Sequence, residues 1–468
     1  MLLRPDELRW VAGALVVLLT SVPTVHAQLT VQTGAGPRFS FRPGETYFRV
    51  DGTPAFLLGR NPAGRNAATY DDHFRHAAAA GERLVRIHFT YSPPQEKAGA
   101  VDPGVLRGWD AVLDAAEAHG LGVLPVFGVW ADWNDGSRGE TWHAWSKNPF
   151  STSREGPAVR PVELFEDTAA RRLWLGRLDT LVRHWAARRP IVAWEVFSEL
   201  DLVTGATEEL ALGLTERAAA VIRTADPWKR PVTASQAGTN EWPKLLASLA
   251  LDFIEVHPYA GGPAGGRLDE LILRAVRHRR ATYRKPVLLG ECGLDAAPPH
   301  GTLDTAARAR IGIRHAIWAA LVSGAMNGRM LWWQDGYDQF ENADLCRHYQ
   351  ETAASAAAFV RGVDFSGFAP VTCEVSDRLF GAMLGNDRER LGWFRDTRSI
   401  APDWPETTVT GAEVTLEVPG TSWRVEFVDP ATGVKTGPRV RTPNDRRLRL
   451  DLPPFQGDVA IRLQRLSP

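Results

Sequence analysis

A chain of 468 residues with 44% hydrophobic and 23% charged side chains has the make-up of a globular protein with room for one large α/β core and a smaller appendage. Its net charge of −1, with no basic block, argues against nucleic acid and anionic membrane surfaces as partners. Seventeen tryptophans are the compositional outlier: flat indole faces suit sugar rings, although many must serve as core.

Residues 1–27 read as a secretory signal. Arg4 and Arg9 precede an apolar run over 10–22 that is too short to span a bilayer comfortably, and Val25-His26-Ala27 supplies a small-residue cleavage site. The expected location is therefore secreted or periplasmic, with no stable membrane anchor after cleavage. Three cysteines allow at most one disulfide, for which Cys346 and Cys373 are candidates. Cys292 reads as a small packing residue.

After a leader over 28–45, strand and helix patterns alternate across 46–362. Short apolar runs without polar alternation fall at 55–59, 84–88, 122–127, 191–196, 231–235, 253–257, 287–290 and 330–333. Helical periodicity follows each, at 70–80, 105–119, 169–187, 207–225, 242–249, 268–283, 306–323 and 348–359. Eight such units predict a parallel sheet wrapped by helices, a (β/α)8 TIM barrel with its site at the carboxyl ends of the strands. A doubly wound sheet is the alternative, but Gly59-Arg60-Asn61-Pro62 is not the phosphate turn it would carry after its first strand. The connection over 130–167 is long and holds Trp130, Trp133, Trp142 and Trp145; a loop of this length suggests a cleft wall, with Trp130 and Trp133 against substrate. Beyond 362 the helical period stops. Period-2 segments at 390–394, 412–418, 422–428, 447–452 and 458–463 predict a β-sandwich over 363–468 with its own core.

Two strands of the series end in a carboxylate. Ile191-Val192-Ala193-Trp194-Glu195-Val196-Phe197-Ser198-Glu199 delivers Glu199 after the fourth strand, and Val287-Leu288-Leu289-Gly290-Glu291 delivers Glu291 after the seventh. Paired carboxylates at one barrel mouth suit retaining glycoside hydrolysis, one as acid/base and one as nucleophile, with carboxyl groups about 5–5.5 Å apart. Arg86 and His88 end the second strand, His257 and Tyr259 the sixth, and Trp332, Trp333 and Asp335 the eighth. A cationic Arg and a Tyr hydroxyl near a nucleophilic carboxylate would hold it ionised and oriented, while the carboxyl acting as acid must keep a proton. Each neighbour also has a plainer reading: Arg86 paired with Glu195 inside the barrel, His257 a satisfied core histidine, Trp332 packed on a helix. No strand-end His-x-His cluster recommends a metal; His73 and His76 sit three apart on a helix, and no cofactor is expected.

The segment Trp194-Glu195-Val196-Phe197-Ser198-Glu199 resembles the W-E-L-x-N-E segment of mannanase-like members of glycoside hydrolase family 5. Lys285-Pro286-Val287-Leu288-Leu289-Gly290-Glu291-Cys292-Gly293 resembles that family's nucleophile segment. Arg86, the His257-Pro258-Tyr259 triplet and the Trp332-Trp333 pair fall in the matching order. The resemblance covers roughly residues 40–360 and implies a secreted retaining β-glycosidase of cellulase or mannanase type acting on carbohydrate. In that reading Glu199 is the acid/base, which should lack a close cation so that it can hold a proton; Glu291 is the nucleophile, oriented by Arg86 and Tyr259; and His257 and Trp333 are substrate contacts. The family has Asn immediately before the acid/base, where its amide meets the sugar 2-hydroxyl; this chain has Ser198. A catalytically weak, carbohydrate-binding relative that keeps the cleft is the alternative. The sequence leaves the oligomeric state open.

Overall fold

The computed structural model describes residues 36–62, 67–90, 96–137, 145–260, 267–294, 307–332, 343–399 and 407–466. The expected signal segment, Trp142, Trp333 and Asp335 lie outside the described residues.

Eight parallel strands close on themselves: β1 (Leu57–Arg60), β2 (Leu84–His88), β3 (Gly122–Val126), β4 (Trp194–Glu195), β5 (Val232–Thr233), β6 (Ile254–Val256), β7 (Val287–Leu289) and β8 (Asn327–Arg329). Six form one sheet in the order β8-β1-β2-β3-β4-β5, and β6 pairs with β7. A bridge between Ser235 and Glu255 joins β5 to β6. Between β7 and β8 the ladder is completed by a side chain. Asn327, fully buried, accepts from the Leu289 amide through Oδ1 and donates to the Leu289 carbonyl through Nδ2, both at 2.8 Å. Among the described residues, eight helices wrap the outside: α1 (Ala67–Ala79), α2 (Pro103–Ala118), α3 (Ala169–Trp185), α4 (Glu208–Ala225), α5 (Pro243–Ala247), α6 (Leu268–Tyr283), α7 (Ala307–Ser323) and α8 (Ala343–Val360). Helix α2 starts where Asp102 caps it, accepting from the amides of Gly104 and Val105, with Pro103 in the first turn where no donor is needed.

One strand departs from expectation. The eighth is Asn327–Arg329, not the apolar run at 330–333. Arg329 and Met330 carry positive φ values of 74° and 37°, which ends the extended backbone just where the apolar run begins. The strand itself is polar because its side chains have partners inside the protein: Arg329 Nε lies 3.3 Å from Glu82, a fully buried carboxylate that also takes two 2.7 Å hydrogen bonds from Arg60.

The tail is antiparallel. One sheet runs in the order β9 (Ala369–Val371), β11 (Leu379–Gly385), β12 (Glu389–Asp396), β17 (Asp458–Arg465), β14 (Trp423–Val428), β15 (Lys435–Arg441). A second contains β10 (Cys373–Val375), β13 (Glu413–Glu417) and β16 (Arg447–Asp451). Between them lies a core that includes Phe394, Val414, Leu416, Trp423, Val425, Leu448, Leu450 and Ile461. The other face of the larger sheet joins the barrel's apolar cluster, where Leu391, Trp393 and Ala460 meet residues of α7 and α8 such as Trp318 and Phe359. That double burial explains why β12 is almost entirely buried rather than alternating. β15 is the opposite case: an exposed edge whose Lys435, Pro438, Arg439 and Arg441 disfavour pairing with another chain. Cys292, Cys346 and Cys373 form no disulfide with one another, and Cys292 Sγ donates to the Arg329 carbonyl at 2.7 Å.

Buried polar contacts pin the sheet to the barrel. Arg395 on β12 donates to Asp269 at 2.6 Å and Glu270 at 2.7 Å, in the first turn of α6, where carboxylates also favour the helix dipole. Asp458 accepts from Trp393 Nε1 at 2.9 Å and lies 2.8 Å from Arg314 on α7. His315, fully buried with its ring centroid 5.5 Å from that of Trp393, has no hydrogen-bond partner on either ring nitrogen among the described residues. Burial, together with the positive charges of Arg314 and Arg395, holds its pKa well below the ordinary value. A depressed histidine means the unfolded chain binds the proton more tightly. The associated stability is therefore fully present above about pH 6.5 and lost as pH falls below it, by up to about 1.4 kcal/mol per pH unit. Urea titrations between pH 7 and 5 should show a steeper loss of stability for the native chain than for His315→Leu; parallel curves would assign the acid sensitivity elsewhere.

Candidate active site

Period-2 geometry turns Arg86 and His88 of β2 to one face, and Glu255 and His257 of the sixth-strand segment likewise. The barrel interior is thereby polar at its carboxyl end. Arg86 is at its centre, 2% exposed. Its Nε and Nη2 donate to the two Glu195 oxygens at 2.6 and 2.8 Å, Nη2 also donates to Ser198 Oγ at 2.8 Å, and Nη1 donates to Glu291 Oε1 at 2.8 Å. Glu255 Oε1 is 2.9 Å from Nε. Nη1 reaches Asn61 Oδ1 at 3.3 Å, and Asn61 Nδ2 in turn donates to the Gly290 carbonyl at 2.9 Å, tying the end of β1 to the residue before Glu291. A guanidinium offers five fixed donors, which is what permits one cation to hold several carboxylates in dry surroundings.

Glu291 accepts a second hydrogen bond, at Oε2, from the Tyr259 hydroxyl at 2.7 Å. Burial pushes its pKa up, but the charges of His257, Arg86 and His88 and the Tyr259 bond more than offset this and hold it below the ordinary carboxylate value. Glu199 differs. Burial raises its pKa, the bond from His257 opposes this, and the Glu291 charge adds to the rise. One oxygen of Glu199 and one of Glu291 lie within 4.8 Å of each other. Glu199 has left-handed backbone angles, φ 59° and ψ 55°, rare for a residue with a side chain; its amide donates to Ser235 Oγ at 3.1 Å, and Ser235 Oγ donates to Glu195.

Two expectations change. His257 is fully buried, and its Nδ1 lies 2.9 Å from Glu199 Oε1, so the cation partner that Glu199 was expected to lack is present and His257 serves the glutamates rather than an open substrate contact. Burial lowers the imidazole pKa, but the Glu291 charge and the contacts with Glu199 and Glu255 raise it to about 10. Trp133, expected on the cleft wall, is 1% exposed and packs against Trp145 and Phe150 with ring centroids 5.6 and 5.2 Å away. Its turn, Trp130–Trp133, leaves Trp130 half-buried beside the site, where the Trp130 amide donates to the Ser198 carbonyl at 3.1 Å. His88 and Trp332 are half-buried, their rings 5.2 Å apart. Sequence reading passed over Glu255 and Asn61; a Glu two residues before the His of a buried strand was the available signal.

Donor atoms of Glu195, Glu255 and His257, and of Glu199, His257 and Glu291, are near enough to one another for a metal ion. Four of these oxygens, both of Glu291 and both of Glu195, already accept hydrogen bonds, and Arg86 supplies the positive charge among them. The cluster is thereby built for proton and ion-pair chemistry.

By sequence the chain matches no family model and no curated protein. By structure it is similar to solved glycoside hydrolases. A protein described only as a glycoside hydrolase matches with a TM-score of 0.60 at 12% identity, over 92% of this chain and 99% of that one. A family 5 glycoside hydrolase from Bacteroides vulgatus matches with a TM-score of 0.62 at 12% identity, over 92% and 95%. A family 30 subfamily 8 xylanase from Clostridium acetobutylicum matches with a TM-score of 0.55 at 13% identity, over 92% and 99%. The barrel with its appended β-module is thus a fold shared with family 5 and family 30 glycoside hydrolases.

Arg86→Met removes the cation from three buried carboxylates. It should lower the free energy of unfolding by about 3–5 kcal/mol, read by urea denaturation at pH 7. A loss under about 1 kcal/mol would show that the carboxylates neutralise themselves by taking up protons.

Proposed function

We propose that the chain is a secreted retaining glycoside hydrolase of β-linked polysaccharides or oligosaccharides. The observation that carries this reading is the pair Glu199 and Glu291, with oxygens within 4.8 Å and opposite pKa displacements. Separations of about 5–5.5 Å between carboxyl groups suit double displacement, whereas an inverting pair must leave about 6.5–9.5 Å for a water.

In this reading Glu291, kept ionised by Arg86 and Tyr259, attacks the anomeric carbon. Glu199 transfers its proton to the departing glycosidic oxygen as that bond breaks. Because Oε1 accepts from His257, Oε2 is the atom left to carry the acid proton. A covalent glycosyl–Glu291 ester results. Glu199, now a carboxylate, takes a proton from water as the water attacks the anomeric carbon and Glu291 leaves, restoring both groups. The half-buried Trp130 and Trp332 supply apolar faces near the site for the sugar. Fold likeness to a xylanase and a family 5 enzyme supports a polysaccharide backbone as substrate, and the segment over 1–27 supports export. Cellulase- or mannanase-like specificity is the finer part of the proposal, to be resolved by hydrolysis of mannan, glucan, xylan and galactan oligosaccharides.

A 2-deoxy-2-fluoro glycoside of the cleaved sugar should leave a covalent adduct on Glu291, located by peptide mass. Glu199→Ala should lower kcat on unactivated substrate about 10²–10⁴-fold. Inverted product stereochemistry would overturn the double displacement.

Ser198 favours a second reading, a weak or binding-only relative. Its hydroxyl accepts from Arg86 at 2.8 Å and is 1% exposed, so it does not reproduce an amide reaching a sugar hydroxyl. If that missing contact limits turnover, Ser198→Asn should raise kcat by restoring a transition-state hydrogen bond. Calorimetric binding of oligosaccharide with no turnover in either form would favour the second reading.

A further inference from the structure

Glu255 is 2% exposed and its role is not accounted for by the two-glutamate mechanism. Arg86 does not require it: Glu195 already takes two of the guanidinium's hydrogen bonds and Glu291 a third. A buried carboxylate costs several kcal/mol of desolvation unless an opposite charge compensates it. Neither Glu255 oxygen has a well-aligned hydrogen bond, yet Oε1 sits between two cation sites, 2.9 Å from Arg86 Nε and 3.6 Å from His257 Nε2. The second distance is long for a hydrogen bond, but in dry surroundings a charge pair at that separation still interacts strongly.

The backbone makes room for this contact. A Cβ on Gly290 would lie 1.9 Å from Glu255 Oε1 and 2.6 Å from His257 Nε2. Gly290 does not have the positive φ that would call for glycine in a turn. It is a glycine of space, placed immediately before Glu291 so that the carboxylate and imidazole can meet over its Cα.

We propose that Glu255 is a positioning residue: its carboxylate, seated between Arg86 and Gly290, keeps the His257 imidazole doubly protonated and so keeps an Nδ1–H directed at Glu199. The consequence for Glu199 rests on its reading as acid/base. The groups facing the imidazole are Glu195 and Glu199 from the fourth-strand segment, Arg86 from β2, Glu291 from the end of β7, and Glu255 from its own strand segment. Arg86 opposes the second imidazole proton; Glu291, Glu199 and Glu255 favour it. Of these three, Glu199 changes charge in the proposed cycle and Glu291 is consumed in the ester. Glu255 takes part in neither step, so of the three it is the one whose contact with the imidazole persists while the other two turn over.

The test is the titration of His257 in the full chain labelled with ¹⁵N-histidine, its signals assigned by their loss in His257→Gln. The native imidazole should remain doubly protonated at pH 8. Glu255→Gln, which preserves shape and removes charge, should lower its midpoint by at least about one pH unit, tenfold in proton affinity. The kcat profile of this variant should gain a descending limb at the same midpoint, which a purely structural role would not produce. If the Gln variant does not fold, Glu255→Asp, with the charge withdrawn by one methylene, should shift the midpoint in the same direction by less. A neutral native His257 at pH 7.5, or an unchanged midpoint in the folded variant, would overturn the proposal. The titration needs no substrate, so a chain that cleaves no glycoside would refute the glycosidase reading while leaving the role of Glu255 decided by its own measurement.

Discussion

The interior of this barrel depends on one guanidinium. Arg86 is withdrawn from water and meets Glu195, Glu255 and Glu291 within 2.9 Å. Four strand segments contribute to that set, so the ion cluster also fixes how the strands register at the carboxyl end of the barrel. A lysine could bring the charge but not the fork of donors. The unequal environments of the two glutamates follow from the same arrangement: Glu291 is bonded directly to Arg86, while Glu199 reaches it indirectly, through Ser235 and Glu195 and through His257 and Glu255. Two acids of the same kind thereby take opposite pKa displacements, Glu291 downward and Glu199 upward.

The tail changes what the barrel can be. The central strands β12 and β17 of the larger sheet are buried on both faces, one toward the small partner sheet and one against α7 and α8. Arg395 and Asp458 anchor it with buried charges that would be uncompensated without the barrel. That face of the sheet and the outer helices thus share one apolar core.

Much of this was legible in the sequence. Apolar runs with helical spacing between them gave seven of the barrel strands and the helices, because parallel strands buried on both faces leave an unmistakable apolar signature. Glu199 and Glu291 stood out because each ends such a run. What escaped has one cause: inside the mouth of this barrel the partners are polar, and a polar residue in a strand reads as an exposed face unless its partner across the barrel is known. Asn327 and Arg329 hid β8 in this way, and Glu255 was passed over beside the conspicuous His257. Trp133 erred oppositely. A tryptophan in a long loop near a sugar site invites a functional role, but this loop packs into the barrel's own apolar core, and Trp133 joins it together with Phe150.

The left-handed backbone at Glu199 bears on how such a chain persists. A residue with a Cβ in that conformation is disfavoured by roughly 1–2 kcal/mol, a strain that glycine would not feel and asparagine would feel less. Drift unopposed by selection on chemistry would tend to relax the position toward either residue, since most proteins sit close to the margin of stability. A lineage that had kept only the shape of the cleft for holding glycans would have no reason to retain a strained glutamate there. Within the proposed glycosidase reading, the strained backbone is a cost that selection for turnover would sustain, and it is independent of how far apart the two glutamates lie.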